Sequence, residues 1–284
     1  MILVTGAGGT VGSAVVEKLS AAGARFRAGY HSREKRDGAA AAGVPSTVFD
    51  FTREETVRAA LEGATKAFLV SGTSPDQTAI EAGFVREAAR AGVRHLVKLS
   101  VWGAESESFS FARLHRPVEK EIEASGMAFT FLRPNGFMQN FIHYFGHSIR
   151  TQGVFRLPAG DARVSHVDVR DIAAAACEAL TRDGHAGKAY DLSGPEALTY
   201  GRIAEKISAA LGRKVSHVDV IEEEFRRGMV ASGAPAWYAD MAIDLTRYYK
   251  AGHAARVSPA IAQITGKDPA SFDDFLREHI TAFQ

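Results

Sequence analysis

The chain holds one cysteine, Cys177, among 284 residues, so no disulfide can form within it. Cys177 lies in the alanine-rich stretch from Ile172 to Leu180 and reads as a small core residue rather than a nucleophile or ligand. Charge of one sign is not in excess. Thirty-four Lys and Arg stand against 33 Asp and Glu, a net charge of +1, which argues against nucleic-acid binding and against attachment to an anionic membrane. Apolar runs stay well short of the ~20 residues of a membrane span. The first residues read as a strand and a turn rather than a charged leader with a cleavage site, so a cytoplasmic setting is expected. Metal-ligand spacing is also missing. His143 and His147 stand one helical turn apart, but without a third ligand or the Glu of a zinc-protease motif, so no metal is expected, and no flavin either. The last 65 or so residues carry no repeats or low-complexity tracts. A small-molecule partner and a monomer or homodimer are what this composition leaves.

What is present begins at the first residue. Met1-Ile-Leu-Val-Thr-Gly-Ala-Gly-Gly-Thr-Val-Gly-Ser-Ala-Val-Val is a short apolar strand, then Gly6, Gly9 and Gly12, then an amphipathic helix with Val11, Val15, Leu19 and Ala22 at helical spacing. Glycine is needed where such a chain reverses, where backbone lies against a pyrophosphate, and where helix and strand pack closely. The helix N-terminus then offers unpaired N–H groups and the positive end of its dipole to phosphate. The spacing is a G-x-x-G-x-x-G variant of the dinucleotide-binding turn, with Gly8 as an extra glycine.

Further apolar segments alternate with helical patterns, at Phe26 to Tyr30, Thr47 to Asp50, Ala67 to Ser71, Leu96 to Ser100 and Phe129 to Leu132. That rhythm predicts an α/β fold with a doubly wound parallel sheet. Ile80, Phe84, Ala88 and Ala91 share one helix face that Asp76 is placed to cap; Leu114, Val118 and Ile122 share another. Beyond about residue 134 the rhythm loosens. Asp168 marks a helix start, Ala189 to Leu192 a late strand, and Thr199 the cap of a helix carrying Ile203, Ile207 and Leu211. Residues 1–134 are expected to form the dinucleotide-binding core. Residues 135–284 are expected partly to complete the sheet and partly to build a smaller, mainly helical substrate lobe, the last 65 or so residues being its helical cap.

Cofactor preference is read at the end of the second strand. An NAD site places Asp or Glu about 20 residues past the glycines, and an NADP site places Arg or small polar groups there. Here stand Tyr30-His31-Ser32-Arg33, with Lys35 and Arg36 just beyond and no carboxylate before Glu34. NADP(H) is therefore expected over NAD(H), with Arg33 as principal partner of the 2′-phosphate and His31 and Ser32 as donors. Asp50 and Phe51 are candidates to flank adenine, and Val70, Ser71 and Gly72 to pass beneath the adjacent ribose.

With these residues in place the chain resembles the NmrA-like group of atypical short-chain dehydrogenase/reductases. The matching segments are Val4 to Gly12 (which includes Thr10 and Val11), His31-Ser32-Arg33, Phe68 to Gly72, Leu99-Ser100, His115 to Gly126, Phe131 to Phe137, and Val167 to Ala173. The resemblance implies a Rossmann fold that binds NADP(H), with Pro134, Asn135 and Gly136 near the nicotinamide end. It implies reduction of quinones, azo or triarylmethane dyes and related acceptors, although the group also includes redox sensors that turn over nothing.

One departure from the wider superfamily bears on chemistry. Its ordinary members carry Tyr-x-x-x-Lys as proton donor and partner, and this chain has His115-x-x-x-Glu119 followed by Lys120. Two readings stand open. In one, His115 donates a proton to the developing alkoxide and Glu119, one turn on, orients it; in the other, His115 merely decorates the helix, and an electrophilic acceptor takes hydride without an acid. Ser100, at its strand end, either hydrogen-bonds substrate or terminates the strand. Phe137, Phe141, His143, Tyr144 and Phe145 form either a wall for a flat aromatic acceptor or part of the core. The expected function is NADPH-dependent reduction of a conjugated or cationic organic acceptor (quinone, azo or triarylmethane dye, iminium or enone). A non-catalytic NADP(H) sensor that acts through a protein partner is the alternative.

Overall fold

The computed structural model describes residues 1–284. Strands form where short apolar runs end in turn residues: β1 (Ile2–Val4), β2 (Phe26–Tyr30), β3 (Ser46–Val48), β4 (Lys66–Leu69), β5 (His95–Leu99) and β6 (Ala128–Pro134). The helices between them are α1 (Thr10–Ala21), α2 (Arg33–Ala41), α3 (Glu54–Leu61), α4 (Gln77–Arg90) and α5 (Ser110–Ala124). In the second half the chain runs α6 (Asn140–His143), α7 (Gly146–Gln152), β7 (Val154–Arg156), β8 (Arg163–Val164), α8 (Val169–Thr181) and β9 (Lys188–Leu192). It ends with β10 (Leu198–Thr199), α9 (Tyr200–Leu211), β11 (Ser216–Val218), α10 (Glu222–Ala231), α11 (Ala236–Lys250), α12 (Ala260–Thr265) and α13 (Phe272–His279).

Seven parallel strands make the central sheet in the order β3-β2-β1-β4-β5-β6-β9. Its central strands β1, β4, β5 and β6 are largely buried, which is why they read as apolar runs, whereas the edge strands β3 and β9 are partly exposed. From β1 the chain winds outward to β3, returns to β4 on the other side, and winds outward again to β9. The order reverses between β1 and β4, so the loops at their carboxyl ends diverge and leave a crevice. α1 and α8 cover one face through Val11, Val15, Leu19, Ile172 and Ala176, a core that also holds Cys177. α3, α4 and α5 cover the other through Val57, Phe84, Val85, Val118 and Ile122. A separate core in the second half gathers Phe141, Phe155, Ile203, Ile207, Phe272 and Phe275.

Three local expectations are corrected. Asp76 precedes α4 without a side-chain capping bond, whereas Asp168 and Thr199 do cap their helices, through the N–H groups of Arg170 and Arg202. The buried face of α4 keeps Phe84 and Ala88 but takes Gln77, Glu81 and Val85 in place of Ile80, because buried polar partners await Gln77 and Glu81; Ala91 ends the helix in solvent, as Ala22 does after α1. The last residues are not all cap. Ala260 and Ile261 of α12 join the main core and Phe272 and Phe275 of α13 the second one, and within residues 220–284 it is Val220, α10, α11 and the connection between these helices that border the crevice. No helix is long and apolar enough to cross a membrane.

Candidate active site

The crevice is built first by β1 and β4. Thr5 Oγ1 donates toward the Phe68 and Val70 carbonyls (3.1 and 2.9 Å) and accepts from the Val70 N–H (2.9 Å), which ties the two loops together at the switch point. Gly6 lies at φ +56°, and a Cβ on it would stand 2.7 Å from the Val70 carbonyl oxygen. A Cβ on Gly12 would stand 2.1 Å from the Gly6 carbonyl oxygen, so glycine there is what lets α1 start directly against the turn. Gly9 precedes α1 with no side-chain cap, and the first-turn N–H groups stay available to an anion. Gly6, Gly9, Thr10, Val11 and Gly12 all line the cavity, a cradle that fits a dinucleotide pyrophosphate.

Toward β2 and β3 the cavity is lined by Tyr30, His31, Lys35, Asp50 and Phe51. His31 Nε2 approaches Asp50 Oδ2 at 3.5 Å, and Asp50 also accepts from the N–H and hydroxyl of Thr52 (2.9 and 2.7 Å). Ser32 and Arg33, expected at the 2′-phosphate, do not line the cavity. Ser32 caps α2 by accepting from the Lys35 N–H (3.2 Å), which makes Arg33 the first helical residue, exposed and off the cavity wall. Lys35, two residues further round the turn, lies alongside Gly8 and is the cation of this segment that borders the crevice.

Toward β4, β5 and α5 lie Val70, Ser71, Gly72, Ser100 and His115. Ser100 is buried, and its hydroxyl has no partner within the protein. His115 is partly buried and borders the cavity, but its pairing with Glu119 is corrected. Glu119 is fully buried, and its oxygens accept from Arg133 Nε and Nη2 (2.9 and 2.8 Å) and Arg116 Nη1 (3.0 Å). Glu119 thus anchors α5 to β6 and does not reach the cavity. His115 Nε2 stands instead 3.4 Å from Gln77 Nε2, and its Nδ1 has no partner. Burial, reinforced by the Lys98 cation, drives its pKa well below the usual histidine range, so it is not an imidazolium acid near neutrality. Behind it Glu81, buried like Gln77, accepts from Ser71 Oγ (2.6 Å) and Gln77 Nε2 (3.3 Å) and pairs with fully buried Lys98.

At the end of β6 the Asn135 side chain faces its own loop. Its amide donates to Ser165 Oγ and the Ala254 carbonyl (both 2.9 Å), and its oxygen accepts from the Gly136 N–H (2.9 Å), so the group is spent on holding the loop. Pro134, Asn135 and Gly136 do border the cavity. A Cβ on Gly136 would meet the Tyr249 hydroxyl and His166 Cδ2, each at 3.0 Å, which brings two long-range residues to this end of the cavity. Beyond them the chamber is aromatic. Trp102, Phe109, Phe111, Phe137, Tyr144, Phe145, Tyr238 and Tyr248 line it, with Tyr144 and Tyr238 bonded hydroxyl to hydroxyl at 2.9 Å. Phe141 and His143 touch the same space, and Phe141 is only 1% exposed, at the centre of the second core.

Four functional candidates escaped the sequence reading. Lys98 carried a signal, a charge inside the buried run Leu96-Val97-Lys98-Leu99, and so did Gln77 and Glu81, spaced one turn apart on α4 in phase with Phe84 and Ala88. His166 carried none, because what gives it meaning is contact with residues distant in the chain.

The model of the NmrA-like family matches residues 1–269. An NAD(P)H azoreductase of Xenophilus azovorans is 37% identical over 284 residues, covering 100% of this chain and 99% of that protein. The solved structure of an NADPH-dependent quinone oxidoreductase of Escherichia coli, complexed with NADPH, superposes with a TM-score of 0.90 at 26% identity, covering 99% of this chain and 100% of the other. A triphenylmethane reductase of Citrobacter sp., complexed with NADP(H), gives 0.86 at 27% identity over 98% and 99% of the two chains.

Proposed function

The chain belongs to the NmrA-like family, and from that premise we propose that it is an NADPH-dependent reductase of small conjugated or cationic organic acceptors: quinones, azo or triarylmethane dyes, iminium ions or enones. The observation that carries this reading is one continuous cavity of about 1690 Å³ running from the glycine turn to the aromatic chamber. Single-ligand sites span roughly 300–1,000 Å³, so this one has room for a dinucleotide and an acceptor together. When bound, the reduced nicotinamide supplies a hydride from its C4.

The chain's own residues do the rest. The start of α1 receives the pyrophosphate on its N–H groups, and Asp50, Phe51 and Val70 to Gly72 border the adenosine half. Lys35, with His31 beside it, receives the 2′-phosphate and gives NADPH its advantage over NADH. Pro134 to Gly136 back the nicotinamide end, and the unpartnered Ser100 hydroxyl and the His115 ring border the space next to it. Aromatic walls hold a flat acceptor against the ring and exclude water. In this reading residues 1–134 hold the dinucleotide and residues 135–284 shape the acceptor chamber.

Stopped-flow oxidation of pre-bound NADPH, against a panel of quinones, azo and triarylmethane dyes, iminium ions and enones, tests the proposal. Rapid oxidation by at least one of these classes is expected. Tight NADPH binding with no turnover across the panel would replace the reductase by a cofactor sensor.

A further inference from the structure

Gln77, Glu81 and Lys98 form a buried polar chain that ends on His115. Gln77 is 2% exposed, Glu81 1% and Lys98 0%, and polar groups so deep are almost always hydrogen-bonded. Lys98 donates to Glu81 Oε2 and to the Leu99 carbonyl (3.2 Å), and Ser71 Oγ donates to Glu81 Oε1 (2.6 Å), so both Glu81 oxygens serve as acceptors. The end of the Gln77 amide that faces Glu81 Oε1 at 3.3 Å must therefore be the NH₂. Its orientation is dictated by the charge behind it.

The same NH₂ has a second hydrogen, and 3.4 Å away lies His115 Nε2. A ring nitrogen that faces an N–H has to present its lone pair, and a second proton on the ring would bring another cation close to Lys98. The one proton of the neutral ring then belongs on Nδ1, which is buried without a partner. Thr78 Oγ1, bonded to the Leu114 carbonyl at 2.9 Å, pins α4 to α5 next to this contact and so fixes its length.

We propose that Gln77 is a positioning residue: oriented by the Glu81–Lys98 pair, it locks His115 as the Nδ1–H tautomer, a neutral hydrogen-bond donor to the acceptor beside Ser100. The tautomer follows from the network alone; the donor role rests on the reductase reading. His115 gives up no proton in this arrangement. It stabilises charge that develops on the acceptor, which solvent protonates as the reduced product leaves the chamber.

The test is long-range ¹H–¹⁵N spectroscopy of the full chain with ¹⁵N-labelled histidine near neutral pH, with the His115 signals assigned by their loss in His115→Gln. The wild type should show Nδ1 protonated and Nε2 bare, and Gln77→Met, which keeps the volume and removes the amide, should move the proton to Nε2 in most molecules. A wild-type ring that is protonated on Nε2 or on both nitrogens overturns the proposal without recourse to any variant. With a quinone as acceptor, Gln77→Met should lower kcat about fivefold, in proportion to the lost competent tautomer, and leave the NADPH Kd unchanged. Gln77→Met and His115→Ala should be non-additive. An unchanged kcat in a variant whose tautomer has switched overturns the donor role. A wild type that shows Nδ1–H but reduces nothing would sink the reductase reading and the donor role with it, while the tautomer assignment stands.

Discussion

A side chain one methyl group larger is enough to close the phosphate cradle. Gly12→Ala puts a carbon 2.1 Å from the Gly6 carbonyl, and backbone on both sides leaves it nowhere to move. The start of α1 must then back away from the turn. We expect NADPH affinity to fall at least ~100-fold by calorimetry, the scale of losing the two or three charge-assisted bonds made there. Lys35→Ala should weaken NADPH by about 1.5–3 kcal/mol, roughly 10- to 150-fold, and NADH little, whereas Arg33→Ala should change either cofactor by no more than about twofold. Equal losses for NADPH and NADH in Lys35→Ala would move the 2′-phosphate elsewhere. The glycine spacing was legible because a turn and the helix it starts are made by neighbours in the chain. The choice between Arg33 and Lys35 was not. It depends on Ser32 capping α2, which sets where the helix starts and hence which cation lies along the crevice.

At the scale of the element, α5 shows why helical spacing does not identify a partner. His115 and Glu119 stand one turn apart, but His115 borders the cavity and Glu119 meets Arg133 of β6, so the two side chains serve different neighbours. Glu119 is held by Arg133 and Arg116, and Arg133 also bonds Glu105 (2.6 Å). Removing the carboxylate by Glu119→Ala strands a buried guanidinium, so urea unfolding should show a loss of about 3–5 kcal/mol. Glu119→Gln keeps an acceptor in place and should lose less. Where Glu119→Ala remains folded, its NADPH affinity should match the wild type, which separates an anchor from a member of the site. The α4 stripe carries the same lesson. Ile80 has the hydropathy for a buried position, but Glu81 takes it because Lys98 and Ser71 are there to receive it.

For the whole molecule, buried histidines set the response to acid. Burial holds His166 down at about 4, and burial with the nearby Lys66 charge does the same for His95, against an ordinary 6.5. The unfolded chain takes up these protons first. Their contribution is therefore complete above about pH 6.5 and is lost as pH falls toward 4, up to about 3 kcal/mol for each residue. Thermal unfolding from pH 7.5 to 4.5 should show Tm falling through that window, with a shallower fall in His95→Gln where that variant folds; a flat profile would contradict the burial of both rings. NADPH at 100 times its Kd should add about 2.7 kcal/mol to the stability of the same molecule.

The residue order by itself determined the parallel sheet, the glycine turn at the end of β1 and the strand ends that ring the crevice. Each of these is written in short stretches, by alternation of apolar runs and helical stripes and by the backbone freedom of glycine at one turn. Only the tertiary structure decided which groups meet inside the crevice. Gln77 on His115, Lys98 under Glu81, and His166 and Tyr249 against Gly136 are contacts between distant segments. Their distances are set by how helices pack on the sheet, and their charge states by the burial that packing creates, neither of which any local stretch of sequence contains.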